Sequence, residues 1–194
     1  MKSIIMLGFI ESEITGDELI YSSAKKEDEL ISYKVQDLLP VINQGNRGIC
    51  CAVVCAEMEN ILDKYTGKGD IKIDYVYKKR ANKDIDGMTP KEAFEILKND
   101  GYIVDYARIT NLPSLKDSIL VNGPALIAMP VYSYDAKFWE GNQYMGGHAV
   151  AAVGFNDLGI LIKNSWGAEW NDGGYTVLPY DEFNKVIEAW CVIS

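Results

Sequence analysis

The chain has 194 residues, 48% of them hydrophobic, enough to build one compact domain or two lobes sharing a core and too many for a disordered chain. Its net charge of −9, from 28 acidic and 19 basic residues, is spread without a long like-charge block, and no basic stripe is left for a phosphate backbone. Nucleic acid is therefore excluded as an expected partner, and so is a membrane, since no stretch approaches the ~20 apolar residues that cross a bilayer.

Residues 1–38 read as an N-terminal arm that mixes an apolar start with the charged run KKEDEL and ends near Pro40. The opening MKSIIMLGFI has a short apolar run, meets Glu11 and Glu13 at once and lacks a small-residue cleavage site. It is expected to be a core strand rather than an export signal, which makes the protein soluble and cytoplasmic. A second path for the arm takes it across a cleft as a short self-inhibitor; the preferred expectation is a strand that completes a sheet.

Residues 39–194 form the expected domain, mainly helical over 39–105 and mainly β over 106–194. From Cys50 to Tyr65 the apolar positions Val54, Met58, Ile61 and Tyr65 recur at helical spacing, and Cys51, Cys55 and Leu62 widen the stripe before Thr66-Gly67 stops it. This predicts a mostly buried helix with Cys50 in its first turn. Thr89-Pro90-Lys91-Glu92 supplies an N-cap threonine, a proline at the first helical position and a glutamate three residues after the cap, opening a helix that closes at Gly101. Ser114 to Asn122 repeats the pattern, with Gly123-Pro124 as its stop.

After Pro124 come the β-rich runs ALIAMPVY, HAVAAVGF, GILIKNS and GYTVL, separated by glycine, asparagine and aspartate turns. A short helix within LPYDEFNKVIEAW precedes a final strand around Trp190 to Ile193. Helices first and an antiparallel sheet second predict an α+β fold with two lobes, and the cleft between lobes is the natural place for a site.

Of the four cysteines, Cys50 and Cys51 are adjacent and Cys55 lies one turn beyond, which is poor spacing for stapling distant segments. Reduced thiols in a cytosol are expected. No Cys-x-x-Cys pair or cysteine and histidine cluster has zinc spacing, and one histidine cannot supply a multi-histidine site, so neither a metal nor another cofactor is expected.

That one histidine, His148, narrows the search for acid–base chemistry to the groups able to meet it. A cysteine on an apolar helix is ordinarily core. Cys50 differs because a helix N-terminus favours the thiolate, and because the stretch before it, PVINQGNRG, is glycine-punctuated and polar. Gln44, six residues upstream, is placed to hold a developing oxyanion together with the Cys50 backbone N–H. His148 follows Gly146-Gly147 at a strand start, and Asn164 ends the next strand, where antiparallel pairing brings it beside the imidazole.

At these residues the chain resembles the papain-like cysteine peptidases. Gln44-Gly45-Asn46-Arg47-Gly48-Ile49-Cys50-Cys51 is similar to that family's Q-G-x-C-G-S-C-W, His148 to Phe155 to its H-A-V-x-x-V-G-Y, and Lys163 to Tyr175 to its K-N-S-W-G-x-x-W-G-x-x-G-Y, with Asn171 in place of one glycine. The resemblance runs from about Asp37 to the C-terminus. It implies a two-lobed fold with a barrel-like β lobe, Cys50 as nucleophile, His148 as general base and acid, Asn164 as the residue orienting the ring and Gln44 as oxyanion donor. Trp166 would shield the Asn164–His148 hydrogen bond. Gly87 and Met88 fall where the family pairs its backbone with extended substrate, and Thr89, Pro90 and Ala149 match positions bordering the pocket for the second residue before the cut. An apolar side chain is expected there.

The departures are specific. Cys51 stands in the place of a tryptophan, Arg47 in that of a disulfide-forming cysteine, and Ile49, in that of a small residue, is a poor N-cap. The histidine and asparagine follow the cysteine sooner than the roughly 130–150 residues usual in this family. The expected function is a cysteine endopeptidase acting on peptide or protein substrates through a thioester acyl-enzyme. A silenced binding module and an acyl transferase are the rivals, and the asparagine third member favours hydrolysis over transfer.

Overall fold

The computed structural model describes residues 7–23, 31–66 and 72–193. The opening residues 1–6, the KKEDEL run and the Gly67 stop lie outside the described residues.

Two short strands come from the arm, β1 (Ile20–Tyr21) and β2 (Tyr33–Lys34). Helices α1 (Cys50–Thr66), α2 (Ile73–Lys79) and α3 (Pro90–Asn99) follow. Then come β3 (Asp105–Ile109), α4 (Leu112–Asn122), β4 (Ala125–Val131), β5 (Gly146–Phe155), β6 (Ile160–Lys163), β7 (Tyr175–Leu178), a 3₁₀ turn at Tyr180–Lys185 and β8 (Glu188–Ile193). The fold is α+β: an eight-stranded sheet in the order β1-β3-β8-β4-β5-β6-β7, with β2 also on β5, carries helices on both faces.

The alternation of side chains along the strands decides what each face covers. Ala149, Ala151 and Val153 of β5, with Leu126, Trp190 and Val192, pack against α1, Phe94 and Leu97 of α3, and Val76 of α2. Val150 and Ala152, with Ile127, Met129 and Val131, pack on the other side against Leu115 and Ile119 of α4 and against Phe138 and Trp139. One strand thus serves two cores, which explains why β5 is apolar almost throughout.

Caps set the helix starts. Thr89 caps α3 by accepting from the Glu92 N–H at 3.0 Å, as the motif predicts, but the Glu92 carboxylate turns to the Ala81 N–H instead of closing the box on the cap residue. Helix α4 begins two residues before the expected Ser114, because Asn111 is the cap and accepts from Ser114 N–H at 2.8 Å. Strand β3 and helix α2 are elements the pattern reading missed. The sheet is antiparallel as expected at every pair except β1 with β3, which is parallel.

Candidate active site

Cys50 opens α1, and Ile49 ahead of it is buried in the core and carries no oxygen that could cap the first turn. His148 sits third in β5, after two glycines. Antiparallel pairing of β5 with β6 puts Ala151 opposite Lys163, and the chain leaving β6 carries Asn164 back to the ring. His148 Nε2 and Asn164 Oδ1 are 2.7 Å apart, a bond that orients the imidazole. Nδ1 is buried without a hydrogen-bond partner, so the free edge of the ring is the one turned from Asn164.

The ring is held by aromatics. Trp166 stacks on it with centroids 4.8 Å apart and planes 22° from parallel, and Phe138 meets it edge-on at 6.0 Å. Trp170 and Tyr134 brace Trp166 in turn. This enclosure excludes water from the His148–Asn164 bond. Phe138 and Trp170 were not foreseen as neighbours, since Phe138 comes from a loop with no motif of its own.

Electrostatics separate the four thiols, all unpaired and buried. Burial pushes the Cys50 thiol up, but its interactions with Cys51, His148 and the Ala149 backbone outweigh that and hold it well below the ordinary thiol range. Cys51 moves the opposite way, raised by burial and by the neighbouring Cys50, and burial also raises Cys55. Of the four thiols, only Cys50 is shifted toward ionisation.

Gln44 is buried beside this group. Its Oε1 accepts from the Ser165 hydroxyl at 2.5 Å, its Nε2 donates to the Arg47 carbonyl at 3.0 Å, and its backbone N–H donates to the Ser165 carbonyl. The Gln44 and Asn164 segments are thereby stitched together. Behind them Lys163 is buried against Glu57 of α1 and donates to the Leu39 carbonyl at 2.7 Å. Asn171, standing where the resembling pattern has glycine, adopts φ +43°, a left-handed conformation that asparagine tolerates. Arg47, in the position of a disulfide cysteine, pairs instead with Asp74.

The arm is where the structure departs most from expectation. Leu7 to Ser12 do not form a sheet strand; they cross between the two walls of the site. Gly8 O accepts from Met88 N–H at 3.0 Å, Ile10 N–H donates to Met88 O at 3.2 Å, and Phe9 bridges both Met88 and Gly147. The fit is tight enough to require glycine: a Cβ on Gly8 would lie 2.0 Å from Gly48 O, and one on Gly147 would lie 2.2 Å from the Phe9 ring. Under this segment Cys50 and His148 have 0% exposure. The sheet-completing role falls to β1 and β2 instead, further along the arm.

Of Gly87, Met88, Thr89, Pro90 and Ala149, the first two meet the arm directly. Met88 lends both backbone groups to it, Gly87 lies close against Gly8, and Pro90 and Ala149 are buried nearby on α3 and β5. Sequence reasoning missed Glu188, a buried carboxylate on β8 that accepts from the Ser12 N–H at 2.9 Å. A lone acid inside the apolar run VIEAWCVI was the available signal. Among the described residues no cluster of acidic, cysteine and histidine side chains could hold a metal, and no helix is long and apolar enough to cross a membrane.

Comparison with known proteins gives one consistent match. The family model for papain family cysteine proteases covers residues 18–192. An uncharacterised peptidase C1-like protein of Acanthamoeba polyphaga mimivirus is 55% identical over 56 residues, 26% of this chain and 18% of that protein. A cathepsin B-like protein of Giardia intestinalis is 37% identical over 84 residues, 37% of this chain and 27% of that protein. The chain thus matches less than a third of the length of either relative. Among solved structures, xylellain, a cysteine protease from Xylella fastidiosa, aligns over 97% of this chain and 96% of its own, with TM-score 0.76 at 17% identity. A Carica candamarcensis cysteine protease in complex with E-64 aligns over 84% and 98%, with TM-score 0.69 at 22% identity.

Proposed function

Because the chain belongs to the papain family of cysteine proteases, we propose that it is a cysteine endopeptidase whose substrates are peptides or unfolded proteins, held in the cleft that the arm now fills. The observation that carries this reading is the asymmetry at His148. One nitrogen is fixed by Asn164, the other is without a hydrogen-bond partner, and the Cys50 thiol gives up its proton easily.

In this reading the Cys50 thiolate attacks the scissile carbonyl, and its sulfur forms the new bond as the carbonyl π pair moves onto oxygen. Gln44 Nε2 and the Cys50 N–H stabilise that oxyanion. His148 passes its proton to the departing amine as the C–N bond breaks, leaving a thioester. Water, deprotonated by His148, then attacks the thioester and frees the acid and the thiolate. Asn164 keeps the ring in the working tautomer, and Trp166 keeps water off that contact. No metal or other cofactor enters any step. The four unpaired thiols favour a reducing setting such as a cytoplasm.

The arm is part of the function. Leu7–Ser12 use the Met88 backbone groups that extended substrate would use, so the form described is a blocked one, and activity requires the arm to leave.

The test compares Cys50→Ala, Cys51→Ala and His148→Ala on a generic unfolded protein, each combined with Gly8→Leu to displace the arm. Only the Cys51 variant should keep its activity. Stoichiometric labelling of Cys50 by an epoxide thiol trap without any cleavage would favour a non-hydrolytic thiol site, and absence of labelling would favour a binding module. Transfer of the acyl group to an added amine in place of water, read by product mass, would favour an acyl transferase.

A further inference from the structure

We propose that Cys51 is a resolving thiol: once the arm has left, Cys50 and Cys51 together form a modification site for hydroperoxides, which convert the pair reversibly to a disulfide and switch the enzyme off. The inference rests on the peptidase reading, because the thiol that is captured is its nucleophile, and it gives a role to a sulfur that no step of the mechanism uses.

The placement of the pair is specific. Cys50 and Cys51 are the first two residues of α1, their thiols share a hydrogen bond, and both side chains are fully enclosed. Cys50 is thus held between His148 and Ala149 of β5 on one side and the sulfur of its own chain neighbour on the other. Cys55, one turn beyond Cys51, feels Cys50 only through charge. A buried cysteine ordinarily fills space, but filling space does not require its sulfur to meet another.

The chemistry balances. In its thiolate form Cys50 attacks one oxygen of the hydroperoxide; the S–O bond forms as the O–O bond breaks, and the departing oxygen takes a proton from solvent and leaves as water or alcohol. Cys50 is then a sulfenic acid. The Cys51 sulfur attacks the Cys50 sulfur, the S–O bond breaks, and the Cys51 proton departs with the hydroxyl as water. The two thiols have lost two electrons and the peroxide has gained them. A dithiol reductant returns both.

The surroundings favour this order of events. Of the two thiols only Cys50 is drawn below its ordinary range, so peroxide reacts there first. Part of what raises Cys51 is the charge of Cys50, and that charge is gone once Cys50 is a neutral sulfenic acid. A second peroxide has to diffuse in, whereas Cys51 is already in contact, so resolution outruns further oxidation. Adjacent Cα atoms stand ~3.8 Å apart across a trans peptide, closer than the roughly 4.4–6.8 Å of ordinary disulfides, so the bridge is strained and readily reduced. The start of a helix is where such a bridge costs least, since the first N–H groups have no intrahelical bond to lose. With the arm in place neither sulfur is exposed, which makes the modification a property of the open form.

The experiment exposes the Gly8→Leu chain and the Gly8→Leu, Cys51→Ser chain to a few equivalents of hydrogen peroxide and caps the remaining thiols with an alkylating agent. Mass, peptide maps and cleavage of the unfolded protein substrate are read before and after dithiothreitol. The first chain should lose two hydrogens in mass, with the bridge mapped to Cys50 and Cys51, and the reductant should restore nearly all of its cleavage. The serine variant, whose thermal transition reports that it is folded, should gain two oxygens at Cys50 as the sulfinic acid and recover less than about a tenth. The same two chains without Gly8→Leu should give the same products about tenfold or more slowly, and they carry the comparison if Gly8→Leu does not fold. Equal recovery of the two chains, a bridge to Cys55, or no oxidation at Cys50 overturns the proposal and leaves the peptidase reading standing. A Cys50–Cys51 bridge in a chain that cleaves nothing before oxidation upholds the dithiol site and overturns hydrolysis. Neither bridge nor cleavage overturns both.

Discussion

Cys50 is enclosed by apolar structure that should keep its proton on, and its neighbours reverse the sign, drawing the thiol below its ordinary range. The consequence is a test by pH. A neutral alkylating agent such as iodoacetamide, applied to the Gly8→Leu chain, should modify Cys50 at a rate that stays high as pH falls well below the usual thiol value of 9.0. The His148→Ala variant loses two of the causes that lower the thiol, so its rate should already fall between about pH 9 and 7. Peptide mapping should find Cys191 unmodified in the same range, since burial pushes that thiol up to about 12. Equal modification of the four cysteines would contradict the assignment. At this scale the sequence was informative: Cys50, Gln44, His148 and Asn164 each sit in a local motif whose glycine, cap or strand context dictates where the side chain points. Glu188 was not legible, because its neighbours in space, Ala128, Ala149 and Ser12, are brought together only by sheet register and by the path of the arm.

The arm is the element whose behaviour could not be read from periodicity. An apolar run with two acids behind it suits a strand, and residues 7–10 do make strand-like backbone bonds, but with the walls of a cleft instead of a sheet edge. What decides between them is tertiary: Gly8 and Gly147 let two backbones approach where any side chain would collide. Gly8→Leu should therefore dislodge the segment without touching Cys50, His148 or Asn164. The expected outcome is an increase of about tenfold or more in the rate of epoxide labelling at Cys50, with the thermal midpoint lowered modestly, as only one short segment is released. An unchanged labelling rate would mean that the arm does not limit access. The helices were legible to different degrees for a related reason. Thr89-Pro90 fixes α3 locally, whereas α2 has a lysine at its N-cap position and no side-chain cap, and β3, with Asp105 and Arg108 in a five-residue strand, gains its identity from pairing with β8.

Across the whole molecule, the helical layer and the sheet are joined behind the site by a buried ion pair. Lys163 ends β6 one residue before Asn164, and Glu57 lies inside α1 two turns after Cys50, so their pairing couples the segments that carry Cys50 and Asn164. Burial raises the Glu57 carboxyl and Lys163 pulls it back down. Lys163→Met should cost about 3–5 kcal/mol in urea unfolding, because it strands a carboxylate and frees the Leu39 carbonyl, and the double change Glu57→Leu with Lys163→Met should recover a large part of it. A loss below about 1 kcal/mol for the single change would show that water reaches the pair. The two-faced sheet was legible only as a set of strands; that β5 serves both cores follows from its unbroken apolar run once the helices are seen on either side.

The arm does more than lie over Cys50. A few residues beyond Ser12 it pairs with β3 through Ile20 and Tyr21, and it is pinned again where Glu18 meets Lys91. A plug anchored in this way is present at a local concentration set by its tether, whatever the amount of protein in solution. Latency of the kind proposed above cannot be diluted away, and a competing peptide must outbid a neighbour that never diffuses off. Onset of activity should then follow first-order kinetics, independent of how many molecules surround each one.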